Sequence, residues 1–287
     1  MAETPSGGGG TDLMFFVGMM LLFFLVWIAG GGPSRPISLS GPLLTPIAIP
    51  GPGGVTYGTT TPGGSGISAG ATVSITKDST GAKSTDAKTE YLTIYVSPVA
   101  DGPISTAGWR LVSRQTGESA AFPLGAEIPR SGSVNTLTPI TLQPGDQAII
   151  VSGRSPVGVS FKENLCTGYL EERQDFKPPL AQSCPTPYQE FQRYAEDESE
   201  KCAEYVRSIP YCATETNTSQ SVGSSCRDFV DEYLNYNGCV RAHQNDSNFK
   251  GTTWRIYLGS GDDLWRSERE KIELIDASGN VLDSLSY

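Results

Sequence analysis

The sequence predicts a mainly β domain that is interrupted by an α-helical insertion and preceded by a transmembrane helix. Short runs of alternating hydrophobicity, separated by Gly and Pro turns, recur over residues 71–165 and return over residues 251–287. All six cysteines fall in the intervening segment, residues 166–250. An apolar run occupies residues 13–29. These three observations divide the chain into an anchor, a two-part β domain and an inserted helical segment.

The composition excludes several classes of function. The chain has 287 residues and a net charge of −10, from 31 acidic and 21 basic side chains. Binding to nucleic acid requires basic residues that displace counterions from phosphates, so we expect no nucleic-acid partner. His243 is the only histidine, which excludes a multi-histidine metal site and leaves a single candidate for a histidine-dependent triad.

The apolar run at residues 13–29 follows a polar N-terminal tail at residues 1–12. It reads LMFFVGMMLLFFLVWIA, and the chain carries no charge between Asp12 and Arg35. A helix over this uncharged stretch is long enough to cross a hydrocarbon core of about 30 Å. The tail contains no Lys or Arg, whereas a signal peptide begins with a positive region. The pattern therefore favours a retained membrane anchor over a cleaved signal peptide.

Residues 30–70 form a linker rich in Pro and Gly, which prevents regular helix and sheet pairing. The GSGISAG run at residues 64–70 has neither the preceding strand nor the following helix that a nucleotide-binding loop requires. We interpret it as part of the linker.

Eight short strands are predicted in the β domain, and their spacing is typical of a β-sandwich or barrel. They cover residues 72–76, 91–97, 109–113, 139–142, 147–152, 253–258, 271–276 and 281–287. The hydrophobic residues that alternate along them predict the core. The candidate core residues are Trp109, Tyr91, Ile94, Leu111, Ile149, Leu274, Val151, Ile272, Val281 and Leu285.

Several motifs in these strands resemble the lamin-tail domain family. Residues 271–287 (KIELIDASGNVLDSLSY) resemble its closing hairpin, and four upstream motifs follow in the family's order: EYLTIY at 90–95, GWRL at 108–111, FP at 122–123 and LQPGD at 142–146. The resemblance implies an immunoglobulin-like β-sandwich, formed here from residues 71–165 and 251–287. It also implies a non-catalytic interaction module of the kind found on bacterial surface proteins.

The insertion at residues 166–250 is predicted to contain two helices, at residues 188–208 and 225–235. If they form an antiparallel hairpin, the six cysteines form three disulfides: Cys202–Cys239, Cys212–Cys226 and, by default, Cys166–Cys184. Zinc binding is the main alternative, but no two cysteines have the close spacing that zinc sites favour. Reduced structural thiols are the remaining alternative.

Disulfides form on the oxidising side of a membrane, so the cysteines place the C-terminal part outside the cytoplasm. Arg35, the only basic residue near the apolar run, indicates the opposite orientation under the positive-inside rule. We give the six cysteines more weight than this single arginine.

The preferred functional hypothesis is a membrane-anchored binding or structural module at the cell surface, whose partner is a protein or a component of the cell envelope. No catalytic, cofactor-binding or metal-binding residues are predicted. His243 and the acidic run at residues 196–200 are interpreted as solvent-exposed. The alternatives are an enzyme that acts on an envelope polymer through carboxylates between sandwich and insertion, and a subunit of a membrane complex.

Overall fold

The computed structural model describes residues 10–29, 72–76, 78–195 and 199–287. Helix α1 (Gly10–Ala29) contains the predicted anchor and belongs to a separate unit of the chain from residues 65–287. None of the helices in the described ranges is long and apolar enough to cross a membrane. The membrane anchor at residues 13–29 stays a prediction. The linker at residues 30–70 and most of the N-terminal tail lie outside the described residues.

The β domain is assembled from short strands. They are β1 (Val73–Ile75), β2 (Tyr91–Val96), β3 (Ile104–Ser105), β4 (Arg110–Ser113), β5 (Ser119–Ala121), β6 (Leu124–Ala126), β7 (Thr138–Pro139), β8 (Thr141–Leu142), β9 (Gln147–Val151), β10 (Ser160–Asn164), β11 (Lys250–Tyr257), β12 (Lys271–Ile275) and β13 (Val281–Ser286). All eight predicted strand regions coincide with observed strands, whereas β3, β5, β6 and β10 were not predicted.

Most of these strands belong to two sheets. The larger has the order β1-β2-β9-β11-β10-β6-β7, and the smaller has the order β13-β12-β4-β5. A further pair joins β3 to β8. The pairings β9–β11 and β6–β10 are parallel, so the larger sheet is mixed. The mainly β class is confirmed, but the immunoglobulin-like sandwich is not.

One hydrophobic core receives side chains from both the larger and the smaller sheet. Ile94 comes from β2, Leu111 from β4 and Leu274 from β12, and each is almost completely buried. Trp109 is also buried, and its ring packs edge-on against Phe122 at 5.8 Å between ring centroids. Alternation along a strand places every second residue on this inner face.

Other predicted core residues occupy different positions. Ile149 is buried in a second cluster, on the opposite face of β9 from Ile150. Tyr91 is only partly buried and packs against that second cluster. Val281 is 49% exposed, so its assignment to the core was wrong. It begins β13, which lies at the edge of the smaller sheet.

The insertion connects two neighbouring strands of the larger sheet, β10 and β11. Its helices are α2 (Gly168–Glu171), α3 (Pro187–Tyr194), α4 (Glu200–Ser208), α5 (Ser224–Tyr233) and α6 (Tyr236–His243). Helices α3, α4 and α5 enclose a third hydrophobic cluster that includes Phe191, Val206 and Phe229. The second cluster lies at the base of the insertion, where Phe176 packs edge-on against Phe161 of β10.

The insertion has more helix breaks than the sequence predicted. The helix predicted at residues 188–208 is divided into α3 and α4. Helix α4 has its own N-cap, because the Ser199 side chain accepts a hydrogen bond from the Cys202 amide. Asn235 likewise caps α6 by accepting from the Gly238 amide at 2.9 Å. Gly238 therefore lies within α6, beyond the end of the helix predicted at residues 225–235.

Candidate functional site between the β-sheet and the insertion

All six cysteines form disulfides, and the pairs are Cys166–Cys239, Cys184–Cys212 and Cys202–Cys226. None of the three predicted pairs is present, so the predicted pairing was wrong. No thiol remains free in the described part of the chain to ligate zinc or act as a nucleophile.

The break between α5 and α6 explains the different pairing. The prediction placed Cys226 and Cys239 on one side of a helical hairpin, opposite Cys212 and Cys202. Cys239 instead lies on α6, which turns back toward the sheet and brings it to Cys166, just beyond β10. Cys202 is then opposite Cys226 on α5. This turn requires Gly238, since a Cβ atom at that position would lie 2.0 Å from the Glu232 carbonyl oxygen.

A buried arginine fixes the insertion to the sheet. Arg255 of β11 forms an ion pair with Glu163 of β10, with 2.5 Å between Nε and Oε1. Its two terminal nitrogens donate to the carbonyl oxygens of Pro178 and Pro179, at 2.5 and 2.8 Å. Both charged side chains are nearly inaccessible to solvent. The guanidinium fork thus holds the proline segment of the insertion against the strand.

A cavity of about 380 Å³, which we call the seam cavity, lies beside this attachment. The β domain and the insertion both line it: the lining residues are Asp86, Lys88, Thr89, Arg154, Ser155, Pro156, Asp175, Lys177 and Tyr257. Its volume is in the range of cavities that bind small molecules, about 300–1,000 Å³. It lies at the junction where the hypothesis of an enzyme places its cleft.

The seam cavity carries charges of both signs, with an excess of basic side chains. Lys88, Arg154 and Lys177 are basic, whereas Asp86 and Asp175 are acidic. Lys177 and Asp175 form an ion pair at 2.8 Å, and both are largely exposed. The Asp175 carboxylate hydrogen-bonds the Lys177 ammonium and raises its pKa. The basic excess contrasts with the chain's net charge of −10.

Tyr257 forms the buried part of the lining. Its side chain stacks on Phe161, with 6.4 Å between ring centroids. The hydroxyl is buried and has no hydrogen-bond partner among the described residues. Burial raises the pKa of Tyr257 above its usual value of 10, so the hydroxyl keeps its proton at physiological pH. It is therefore a hydrogen-bond donor without an acceptor in the described part of the chain.

His243 borders a second, more open cavity of about 500 Å³. Its side chain is 3% exposed, so the interpretation of it as an exposed residue was wrong. Nε2 lies 2.9 Å from Glu190 Oε2, and Nδ1 lies 2.7 Å from Asp246 Oδ2. Burial acts to lower the pKa of His243, but the hydrogen bonds to the two carboxylates outweigh it and raise the pKa. This arrangement favours the imidazolium form and leaves neither ring nitrogen free to act as a base.

Glu90 is a buried carboxyl with a strongly perturbed pKa. Burial raises its pKa to about 7, although it accepts hydrogen bonds from the Leu264 and Trp265 amides. Its side chain has no measurable exposure. A polymer substrate could not reach it, so its perturbed pKa gives no support to the enzyme hypothesis.

The acidic run falls only partly within the described residues. Glu196, Asp197 and Glu198 lie outside them. Glu200 is exposed and forms an ion pair with Arg207 at 3.1 Å. Glu200 is therefore a solvated surface side chain.

No family model matches the chain, and no curated protein or solved structure matches it either. The lamin-tail resemblance therefore depends on the sequence motifs. Their glycines occupy tight turns: Gly108, Gly145 and Gly279 all have positive φ angles and precede β4, β9 and β13, respectively. The glycines at these positions have a local structural reason, because a positive φ favours glycine.

Proposed function

We propose that this protein is a non-catalytic binding module that acts outside the cytoplasm, with its partner at the cell surface bound by the insertion and the adjoining seam cavity. The observation that carries the proposal is the set of three disulfides, all within the insertion. The recognition surface lies within residues 72–287. The proposal therefore does not depend on the predicted membrane anchor.

The disulfides support both the compartment and the function. Structural disulfides persist in oxidising compartments and are rare in the cytoplasm. Cys166–Cys239 closes the base of the insertion, while the other two bridges fix the chain segments above it. Together with Arg255, they hold the insertion in one conformation. A preorganised surface loses less conformational entropy on binding.

Binding is favoured over catalysis by the state of the reactive side chains. The cysteines are oxidised, both ring nitrogens of His243 face carboxylates, and Glu90 is inaccessible. Nucleophilic catalysis by Cys or Ser requires a thiol or an adjacent base. The resemblance to lamin-tail domains also supports an interaction module.

The test is a binding measurement on isolated cell-envelope fragments. Purified, labelled full-length protein is added at increasing concentration, and bound protein is separated by sedimentation. We expect saturable binding that unlabelled protein displaces. Prior reduction and alkylation of the three disulfides should abolish it, because the insertion loses its fixed conformation.

The same incubation distinguishes the module from an enzyme. The supernatant is assayed for reducing ends and soluble fragments released from the envelope polymer. We expect none above the level obtained with reduced, alkylated protein. Absence of saturable binding, or release of fragments in proportion to time and protein, would overturn the proposal.

A further inference from the structure

We propose that Asn217, in the loop between α4 and α5, is a site of N-linked glycosylation. The sequence Asn217-Thr218-Ser219 matches the acceptor pattern Asn-x-Ser/Thr. Such glycans are attached to surface loops of exported proteins. The inference rests on the compartment named in the proposed function and goes beyond that function, because it assigns a covalent modification to a loop outside the lining of the seam cavity.

The two residues that the acceptor pattern requires are both accessible. Asn217 and Ser219 are exposed, whereas the hydroxyl of the intervening Thr218 is buried. The Asn217 carboxamide forms no hydrogen bond with another described residue, so no such contact has to break before the carboxamide reacts. The carboxamide and the Ser219 hydroxyl are therefore open to a modifying enzyme.

The backbone around Asn217 can adapt to the active site of such an enzyme. Residues 213–219 contain neither helix nor strand, and the backbone amides of residues 215–218 donate no hydrogen bond to another described residue. The disulfides at Cys212 and Cys226 hold the two ends of the loop on the insertion. An accessible loop without regular structure is the kind of segment that enzymes act on in a folded protein.

A second acceptor sequence, Asn245-Asp246-Ser247, lies in a fixed turn after α6. The Asp246 amide donates to the His243 carbonyl oxygen at 2.8 Å, and the Asp246 carboxylate contacts His243 Nδ1 at 2.7 Å. Binding this turn in an extended form would break both contacts and remove one partner of a buried imidazolium. We therefore expect no glycan at Asn245, although Asn245 is also exposed.

The reaction requires a donor in which an oligosaccharide is linked through pyrophosphate to a polyprenyl lipid. The side-chain nitrogen of Asn217 forms a bond to C1 of the first sugar, while the bond between C1 and the pyrophosphate oxygen breaks. The nitrogen loses one proton, and the lipid pyrophosphate is the leaving group. Some of the transferring enzymes also require an acidic side chain two residues before the asparagine. Glu215 occupies that position before Asn217, whereas His243 occupies it before Asn245.

The test is mass spectrometry of the full-length protein and its variants, isolated from the cells that naturally produce it. We expect a glycan mass on the peptide that contains Asn217 and none on the peptide that contains Asn245. Asn217→Gln and Ser219→Ala should each lose this mass completely. Ser219→Thr should retain it, because threonine supplies the required hydroxyl. Asn245→Gln is the matched control and should also retain it.

An unmodified Asn217 peptide, or a glycan at Asn245 in the wild type, would overturn the inference. The oxidation state of the six cysteines in the same sample tests the proposed function separately. Oxidised cysteines with an unmodified Asn217 refute only the glycosylation site. Free thiols together with a glycan at Asn217 refute only the disulfide-stabilised module.

Discussion

Asn164 and Lys250 pair across β10 and β11, at the two points where the insertion leaves and re-enters the larger sheet. The insertion is therefore attached at one narrow base. Cys166–Cys239 closes this base immediately beyond the pair, and Arg255 holds the proline segment beside it. The attachment places the seam cavity where both parts of the molecule contribute side chains.

Removing the buried arginine should loosen this attachment. Arg255→Met leaves the Glu163 carboxylate buried without its partner, and we expect a loss of about 3–5 kcal/mol in the free energy of unfolding. Urea unfolding monitored by circular dichroism measures it. Lys250→Met is the control, because its exposed ion pair with Glu127 should contribute less than about 1 kcal/mol. Equal losses in the two variants would contradict the anchoring role of Arg255.

Glu90 should make the stability of the β domain depend on pH. Its pKa in the folded protein is about 7, above the usual 4.5, so the folded state holds a proton that the unfolded state has lost. Stability therefore falls as pH rises between about 4.5 and 7. Glu90→Gln should flatten this fall in urea unfolding at pH 5 to 8, relative to wild type. Exposed Glu118→Gln should retain the wild-type slope, and a Glu90→Gln profile parallel to wild type would be inconsistent with this assignment.

His243 should contribute in the same direction as Glu90, but over a higher range of pH. Its pKa is raised above the usual 6.5, so its stabilising contribution is complete below pH 6.5 and is lost as pH rises through the raised value. His243→Gln should reduce stability by about 2 kcal/mol near pH 5.5, where Glu190 loses a charged partner. The loss should shrink toward pH 8.5. A loss independent of pH would show that the imidazolium is not the stabilising form.

Two residues of the smaller sheet that the sequence pattern treats alike, Leu111 of β4 and Val281 of β13, should contribute unequally to stability. Leu111→Ala creates a cavity in the shared core, and we expect a loss of about 2–5 kcal/mol. Val281→Ala, at an exposed strand end, should cost less than about 1 kcal/mol. Thermal unfolding of both variants provides the measurement. A comparable loss for Val281 would mean that β13 is more deeply buried than the structure shows.

The alternating strands were predictable from sequence because one face of each is buried against the core. Strand β10 was not predicted, because all five of its residues are buried and two of them are charged, so it shows no alternation of apolar and polar side chains. Lys162 and Glu163 are compensated by Asp146 and Arg255, which are distant in sequence. The local pattern of hydrophobic residues does not predict charge partners that are distant in the sequence.

The disulfide pairing and the seam cavity also depend on tertiary structure. The presence of disulfides followed from the number and spacing of the cysteines, but their pairing depended on the cap at Asn235 that starts a new helix. The cavity is lined by four short segments, at residues 86–89, 154–156, 175–177 and 257. No single segment carries a recognisable binding motif. Only their juxtaposition brings the basic side chains and the Tyr257 ring together.

The most direct measurement is a count of free thiols in intact cells, using a membrane-impermeant alkylating mass tag before and after reduction. A disulfide-bonded module outside the cytoplasm should show no tagging until reduction and six tagged cysteines afterwards. Peptide mapping of the unreduced protein should recover Cys166 linked to Cys239. Free thiols in a lysate that the tag cannot reach in intact cells would place the domain in the cytoplasm and contradict the proposed function.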